Sequence, residues 1–306
     1  MTISAVIRAY NEGEHLGRLL TGLEHQTVTV DEVVVVDSGS SDDTVAIAKA
    51  HGCRVVPIAK EEFTFGRSLN FGCDAAKGDL LLIVSAHVYP VYDTYVQHMV
   101  SPFDQQDTAI AYGRQVGDHR TKFSETRIMR KWFPEQSIRN QSHPFSNNAN
   151  AIVRKDVWSQ LRYDEQLTGL EDLDLAKRAL SLGMRLDYVA EAPVVHVHEE
   201  TWNTIRNRYR REAIAYKRIM DEEQSLSPVS LYGRLKVQVE QELLAMEDDN
   251  FAPTILRMAT LYGLSPRMRF DLILNILAKQ SVMTGQITIY GGKQWRPLAH
   301  VSDAAE

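Results

Sequence analysis

The chain has 306 residues, 44% of them apolar and 24% charged, which suits one large domain with a smaller appendage and excludes a mainly disordered chain. Its formal net charge of −6 argues against a sequence-independent hold on nucleic acid, which needs a dense basic face to displace counterions, but leaves room for a small anionic ligand. The two cysteines, Cys53 and Cys73, match no zinc or redox spacing and read as reduced, buried thiols of a cytoplasmic protein.

Residues 1–8 enter a strand-like run directly, with no basic segment followed by a long apolar core. No run reaches the roughly 18 uninterrupted apolar residues of a spanning helix; Leu272 to Met283 is broken by Asn275, Lys279 and Gln280. The expectation is a protein without a transmembrane segment, cytoplasmic or held peripherally at the inner face of the membrane.

The first half alternates short β-rich runs with helical periodicity, the pattern of βαβ units around a largely parallel sheet. Strands are expected at Ile3 to Arg8, Glu32 to Asp37, Arg54 to Pro57 and Asp79 to Ser85, with helices at Glu14 to Gln26, Asp42 to Ala50 and Arg67 to Ala76. Ligands of open α/β sheets bind beyond the carboxyl ends of the strands, so the loops Ala9 to Glu12, Asp37 to Asp42 and Ser85 to Tyr89 should face one crevice. A mixed region follows, with a helix near Tyr92 to Phe103, a strand near Ala109 to Val116, and a polar, basic connection from Asp118 to Gln141 that reads as a lid or acceptor-binding loop. After His198 the periodicity is helical: Trp202 to Glu223, Leu231 to Met246, Thr254 to Leu261 and Arg267 to Thr284, broken at Pro228, Pro253 and Pro266. Packing, self-association and peripheral membrane docking are the three uses such helices offer.

Strand one ends in Arg8-Ala9-Tyr10-Asn11-Glu12, and strand two in Asp37-Ser38-Gly39-Ser40-Ser41-Asp42. An aromatic such as Tyr10 can stack on a nucleobase while Asp37 accepts from a base or ribose donor. With these motifs the sequence resembles glycosyltransferase family 2 over roughly residues 2–200. The resemblance implies a GT-A fold (Rossmann-like α/β with a mostly parallel central sheet) at 1–200 and leaves 201–306 as a helical C-terminal subdomain for the acceptor side or oligomerisation. It implies inverting transfer from a nucleotide-sugar donor to a glycan or lipid-linked acceptor, in surface-polysaccharide or glycan biosynthesis. Ala9, Tyr10, Asn11, Glu12, Asp37 and Ser38 are then donor-binding, as is Arg67 in the stretch Arg67-Ser68-Leu69-Asn70-Phe71-Gly72.

Leu80 to Val84 runs into Ser85-Ala86-His87, where this family usually has Asp-x-Asp. Ser85 and Ala86 keep the donor-facing position, but the loss of both aspartates removes the hard oxygen ligands that favour magnesium. His87, joined by His198, points instead to manganese if a divalent metal takes part, and metal independence stays open. His196, in Val194-Val195-His196-Val197-His198, is the expected structural histidine of that pair. The departure also leaves a rival reading, a non-catalytic nucleotide-sugar or glycan-binding protein.

Gly169-Leu170-Glu171-Asp172-Leu173-Asp174 matches the family's acidic helix start. An acceptor hydroxyl must lose its proton as it attacks, so Asp172 is expected as general base and Glu171 as its orienting partner. Asn148 and Asn150 are expected to contact a sugar, because amides both donate and accept. Among Arg206, Arg208, Arg210 and Arg211, an arginine such as Arg210 is expected over the leaving diphosphate. No Gly-rich basic loop, Gly-x-Gly-x-x-Gly fingerprint or Walker loop occurs, which weakens nucleotidyltransferase, oxidoreductase and NTPase readings.

Overall fold

The computed structural model describes residues 1–197, 201–221, 231–246, 260–262, 277, 280–283, 286 and 298–300. The chain forms two compact units, Met1–Gln224 and Ser225–Glu306. In the first unit, β1 (Ile3–Ala9), β2 (Glu32–Asp37), β3 (Arg54–Pro57) and β4 (Leu80–Ser85) are joined by α1 (Leu16–Glu24), α2 (Thr44–Ala50) and α3 (Phe65–Ala75). β5 (Val88–Pro90), α4 (Tyr95–Val100), β6 (Thr108–Val116) and α5 (Phe123–Trp132) follow. β7 (Asn150–Arg154), α6 (Lys155–Leu161), α7 (Glu171–Ser181), β8 (Arg185–His196) and α8 (Trp202–Asp221) complete it.

The eight strands form one sheet in the order β3-β2-β1-β4-β7-β6-β8-β5. Its first four strands run parallel, as the βαβ pattern requires. β7 is antiparallel to both β4 and β6, and β5 is antiparallel to β8. β6 is parallel to β8 and, across β7, runs in the same direction as the first four strands, so only β7 and β5 oppose a sheet that is mostly parallel, as expected. β7 went unrecognised because Asn150-Ala151-Ile152-Val153-Arg154 is a short apolar run with no period of its own; it becomes a strand by filling the gap between β4 and β6.

The parallel strands are apolar on both faces because helices cover both. Leu16, Leu19, Leu20 and Leu23 of α1 follow the helical spacing of one apolar stripe and are all buried on one face. On the other, α3 starts where the Thr64 side chain accepts from the Arg67 amide at 3.1 Å. A Cβ at Gly72 would collide with Val6 and Val36, so only glycine lets α3 lie this close to the sheet. Cys73 is buried in this layer, and Cys53 is half-buried; both are free thiols.

Three expectations about the later chain are corrected. The connection from Asp118 to Gln141 contains α5, whose Glu125, Ile128, Met129 and Trp132 recur at helical spacing, a signal masked by the basic residues between them. The helix Trp202–Asp221 belongs with the first unit rather than with an appendage beginning at 201: its Ala215 and Ile219 pack with Leu167, and the Thr168 hydroxyl donates to the Arg211 carbonyl at 2.8 Å. In the second unit, α9 (Leu231–Ala245) is helical as expected. Thr260–Tyr262, expected at the end of a helix, is instead strand β9, paired in parallel with β10 (Leu298–His300); Thr-Leu-Tyr favours strand once a partner exists.

Candidate active site

The sheet register gathers the strand ends at one edge. Ala9 lies beside Asp37, and Arg8 lies beside both Val36 and Ser85. A cavity of about 740 Å³ opens there, walled by the ends of β1 and β4, by α5, by the start of α7 and by α8.

The acidic pair sits in this cavity. Glu171 and Asp172 open α7 directly after Leu170, which is held left-handed at φ 57°. That conformation costs a leucine roughly 1–2 kcal/mol, and strain of this kind concentrates at functional sites. Glu171 is 5% exposed and takes a salt bridge of 3.2 Å from Arg8. Through Arg8 the carboxylates share the strand-end edge with Ala9 and Asp37. Asp172 accepts from the Asn148 amide at 2.9 Å and from its neighbour Leu173 at 2.8 Å. Withdrawal from water, reinforced by the Glu171 carboxylate, nevertheless pushes the Asp172 carboxyl up to about 7.

The opposite wall carries Ser85 and His87. His87 Nδ1 is 3.0 Å from Glu12 Oε1, and its ring stacks on His196 at 5.2 Å. His196 in turn holds Gln115 Oε1 at 2.6 Å. Ala86 is buried behind them. His198 lies outside the described residues. A carboxylate-bound imidazole is the arrangement metal-binding histidines use, but among the described residues no three His, Cys, Asp or Glu side chains converge as a ligand set. Among the described residues the donor set does not complete a metal site.

The remaining donor-side residues surround the cavity more than they line it. Asp37 is 7% exposed, and its carboxylate accepts from the Gly39 and Ser40 amides; Gly39 takes the left-handed φ of 86° that this turn needs. Ser38 donates its amide to Ala9. Asn11, at φ 54°, ties the two loops by accepting from the Ser41 amide at 2.8 Å and donating its own amide to Ser40. Tyr10 is 47% exposed, with the Lys60 ammonium 5.4 Å from its ring centre; Lys60 was not visible as a site residue in the sequence. Arg67 is paired with Glu165 at 2.8 Å and bonds the Glu62 carbonyl.

Two placements redirect the expectations and one agrees with them. Asn150 does not face a sugar: it is fully buried and bonds Tyr95 Oη, the Arg114 carbonyl and the Ala192 carbonyl, so its amide pins the second half of the sheet. Asn148 does line the cavity, and its Nδ2 has no partner among the described residues. Arg210 is exposed and absent from the lining, whereas Arg208 and Arg211 line it. The helical period explains this, since residues one apart on α8 point about 100° apart. The Arg8 and Arg211 guanidinium groups both lie over the Phe65 ring, at 5.1 and 4.8 Å from its centre.

The family model for glycosyl transferase family 2 matches residues 4–162, more than half of the chain. The chain belongs to that family. The transferase is 24% identical over 222 residues to an O-antigen chain rhamnosyltransferase of Salmonella typhimurium, covering 68% of this chain and 70% of that one. A second O-antigen chain rhamnosyltransferase, from Salmonella anatum, is 25% identical over 224 residues with the same coverage. Among solved structures, the fold resembles a mannosyltransferase of Pyrobaculum calidifontis in complex with GDP-Man and Mn2+, with TM-score 0.58, 14% identity, and coverage of 80% and 81%. It also resembles Mycobacterium tuberculosis glucosyl-3-phosphoglycerate synthase with Mn2+ and uridine diphosphate, at TM-score 0.55, 21% identity, and coverage of 73% and 81%. Residues 213–306 of the transferase match the model of the NAD dependent epimerase/dehydratase family, a relationship that helical periodicity did not disclose. No described helix is long and apolar enough to cross a membrane.

Proposed function

We propose that this glycosyltransferase inverts the anomeric carbon of a nucleoside-diphosphate sugar, with Asp172 as the general base. The observation that carries the reading is the Asp172 carboxyl, raised to about 7 in a cavity it shares with Arg8 and Arg211. A base poised near neutral pH takes a hydroxyl proton most effectively. The acceptor oxygen attacks the anomeric carbon as its proton passes to Asp172 Oδ. The bond from that carbon to the diphosphate breaks on the opposite face, and its electron pair leaves with the nucleoside diphosphate. Guanidinium groups fixed beside the departing diphosphate stabilise such developing charge. Arg8 is positioned by Glu171, and Arg211 by α8, so both are set before the reaction begins.

A raised carboxyl favours catalysis over the non-catalytic binding reading, because simple binding gains nothing from holding a proton near pH 7. No step is routed through a metal. A cation held at His87 would be manganese rather than magnesium, since imidazole suits the softer ion. The two Salmonella relatives put a rhamnose donor and a surface-polysaccharide acceptor first among candidates, handled by a cytoplasmic enzyme. The test is release of nucleoside diphosphate from a panel of nucleotide sugars, with and without manganese, with the product anomer read by NMR. Asp172-dependent release with an inverted product supports the reading; a retained anomer overturns it.

A further inference from the structure

We infer that the α5 wall of the cavity is the acceptor subsite and that it takes a pyranose ring of a glycan, with Trp132 as the stacking platform and Gln115 and Glu125 as polar anchors. This rests on the reading of Asp172 as base, since both walls belong to one cavity. Trp132 is 47% exposed on the cavity side of α5, and Ile128, one turn earlier, is 44% exposed. The indole is not loose: it stacks on Phe145 at 4.8 Å and 22°, and Phe145 is braced edge-on by Tyr112 at 5.4 Å. A flat, fixed aromatic face beside an aliphatic side chain matches the apolar C–H face of a sugar ring.

A sugar also presents hydroxyls, and the same cavity holds polar atoms that are left unpaired among the described residues. Gln115 is 3% exposed; its Oε1 is taken by His196, while its Nε2 has no partner. Glu125 Oε2 is likewise buried and unpaired, as is Asn148 Nδ2. Two donors and one acceptor around an aromatic platform fit a polyol. A lipid chain would leave all three unsatisfied, and a small anion would meet the Glu125 carboxylate.

The experiment measures binding in the full-length Asp172→Asn protein with no nucleotide sugar present, so that no transfer occurs, by saturation-transfer NMR and calorimetry. The probes are neutral oligosaccharides ending in rhamnose, mannose, galactose, glucose or N-acetylglucosamine, with 3-phosphoglycerate and farnesyl phosphate as the anionic and lipid alternatives. At least one saccharide is expected to bind, with affinity reduced about tenfold by Trp132→Ala and largely restored by Trp132→Phe. Glu125→Gln, which barely perturbs packing, is expected to weaken the same saccharide severalfold and serves where Trp132→Ala misfolds. Binding of no saccharide, of the phosphorylated probes alone, or of a saccharide indifferent to both positions overturns the proposal. Because binding is read without turnover, these outcomes leave the catalytic role of Asp172 to its own assay, and failure of that assay leaves the binding result intact.

Discussion

The two walls of the cavity are built on different principles. The wall made by the ends of β1 and β4 is set by the sheet: its residues follow directly on paired strands, and Glu12 holds His87 at 3.0 Å across it. The wall made by α5, α7 and α8 is assembled from segments far apart in sequence, with Arg8 reaching Glu171 across 163 positions. On the proposed reading the first wall would receive the donor and the second would carry the base, because a base and charge-stabilising arginines must be set against one another in three dimensions.

The comparison is broken most severely by Asp172→Asn, which should lower transfer by about 10²–10⁴-fold while nucleoside-diphosphate binding, measured by calorimetry, holds. The same variant carries a stability signature. Because folding raises the Asp172 carboxyl from 3.8 to about 7, the stabilisation from keeping it protonated is full below about pH 4 and is lost as pH rises through 7. Asp172→Asn is therefore expected to melt higher than the wild type at pH 8, with little difference at pH 4.

Next in size is the arginine pair. Arg8→Met leaves the buried Glu171 carboxylate without its cation and should cost on the order of 3–5 kcal/mol in denaturant unfolding, whereas Arg211→Ala should lower kcat by about 10²-fold with an ordinary melting curve. Glu171→Gln removes the like charge beside Asp172 and should move the ascending limb of the pH–rate profile to lower pH, by about one unit. At the small end, Arg210→Ala should leave kcat within about twofold, since α8 turns it away from the cavity; parity with Arg211→Ala would remove the helical-face argument.

These contrasts also mark what was legible in the sequence. β2 was readable to the residue because Val33 to Val36 is the apolar run of a strand covered on both faces, and β3 because Val55-Val56 is a short β-branched pair closed by Pro57. The acidic start of α7 was readable because its chemistry is concentrated in two adjacent carboxylates. α5 was not, since Arg127, Arg130 and Lys131 made an amphipathic helix look like a polar loop, and Trp132 was missed with it. Asn148 and Asn150 looked alike in sequence; only the closeness of Tyr95, Arg114 and Ala192 shows that one is consumed by the sheet. Arg208 and Arg211 could have been separated from Arg210 by applying the 3.6-residue period to the whole arginine cluster. The pairing of β9 with β10 spans nearly forty residues, and no local pattern announces it.

The most direct test of the account is the pH dependence of kcat/KM for the acceptor in the wild type beside the residual rate of Asp172→Asn. The account predicts a wild-type limb rising through about pH 7, as Asp172 loses its proton, and no such limb in the variant. A limb near 4 in the wild type, or a variant that keeps the wild-type profile, would contradict it.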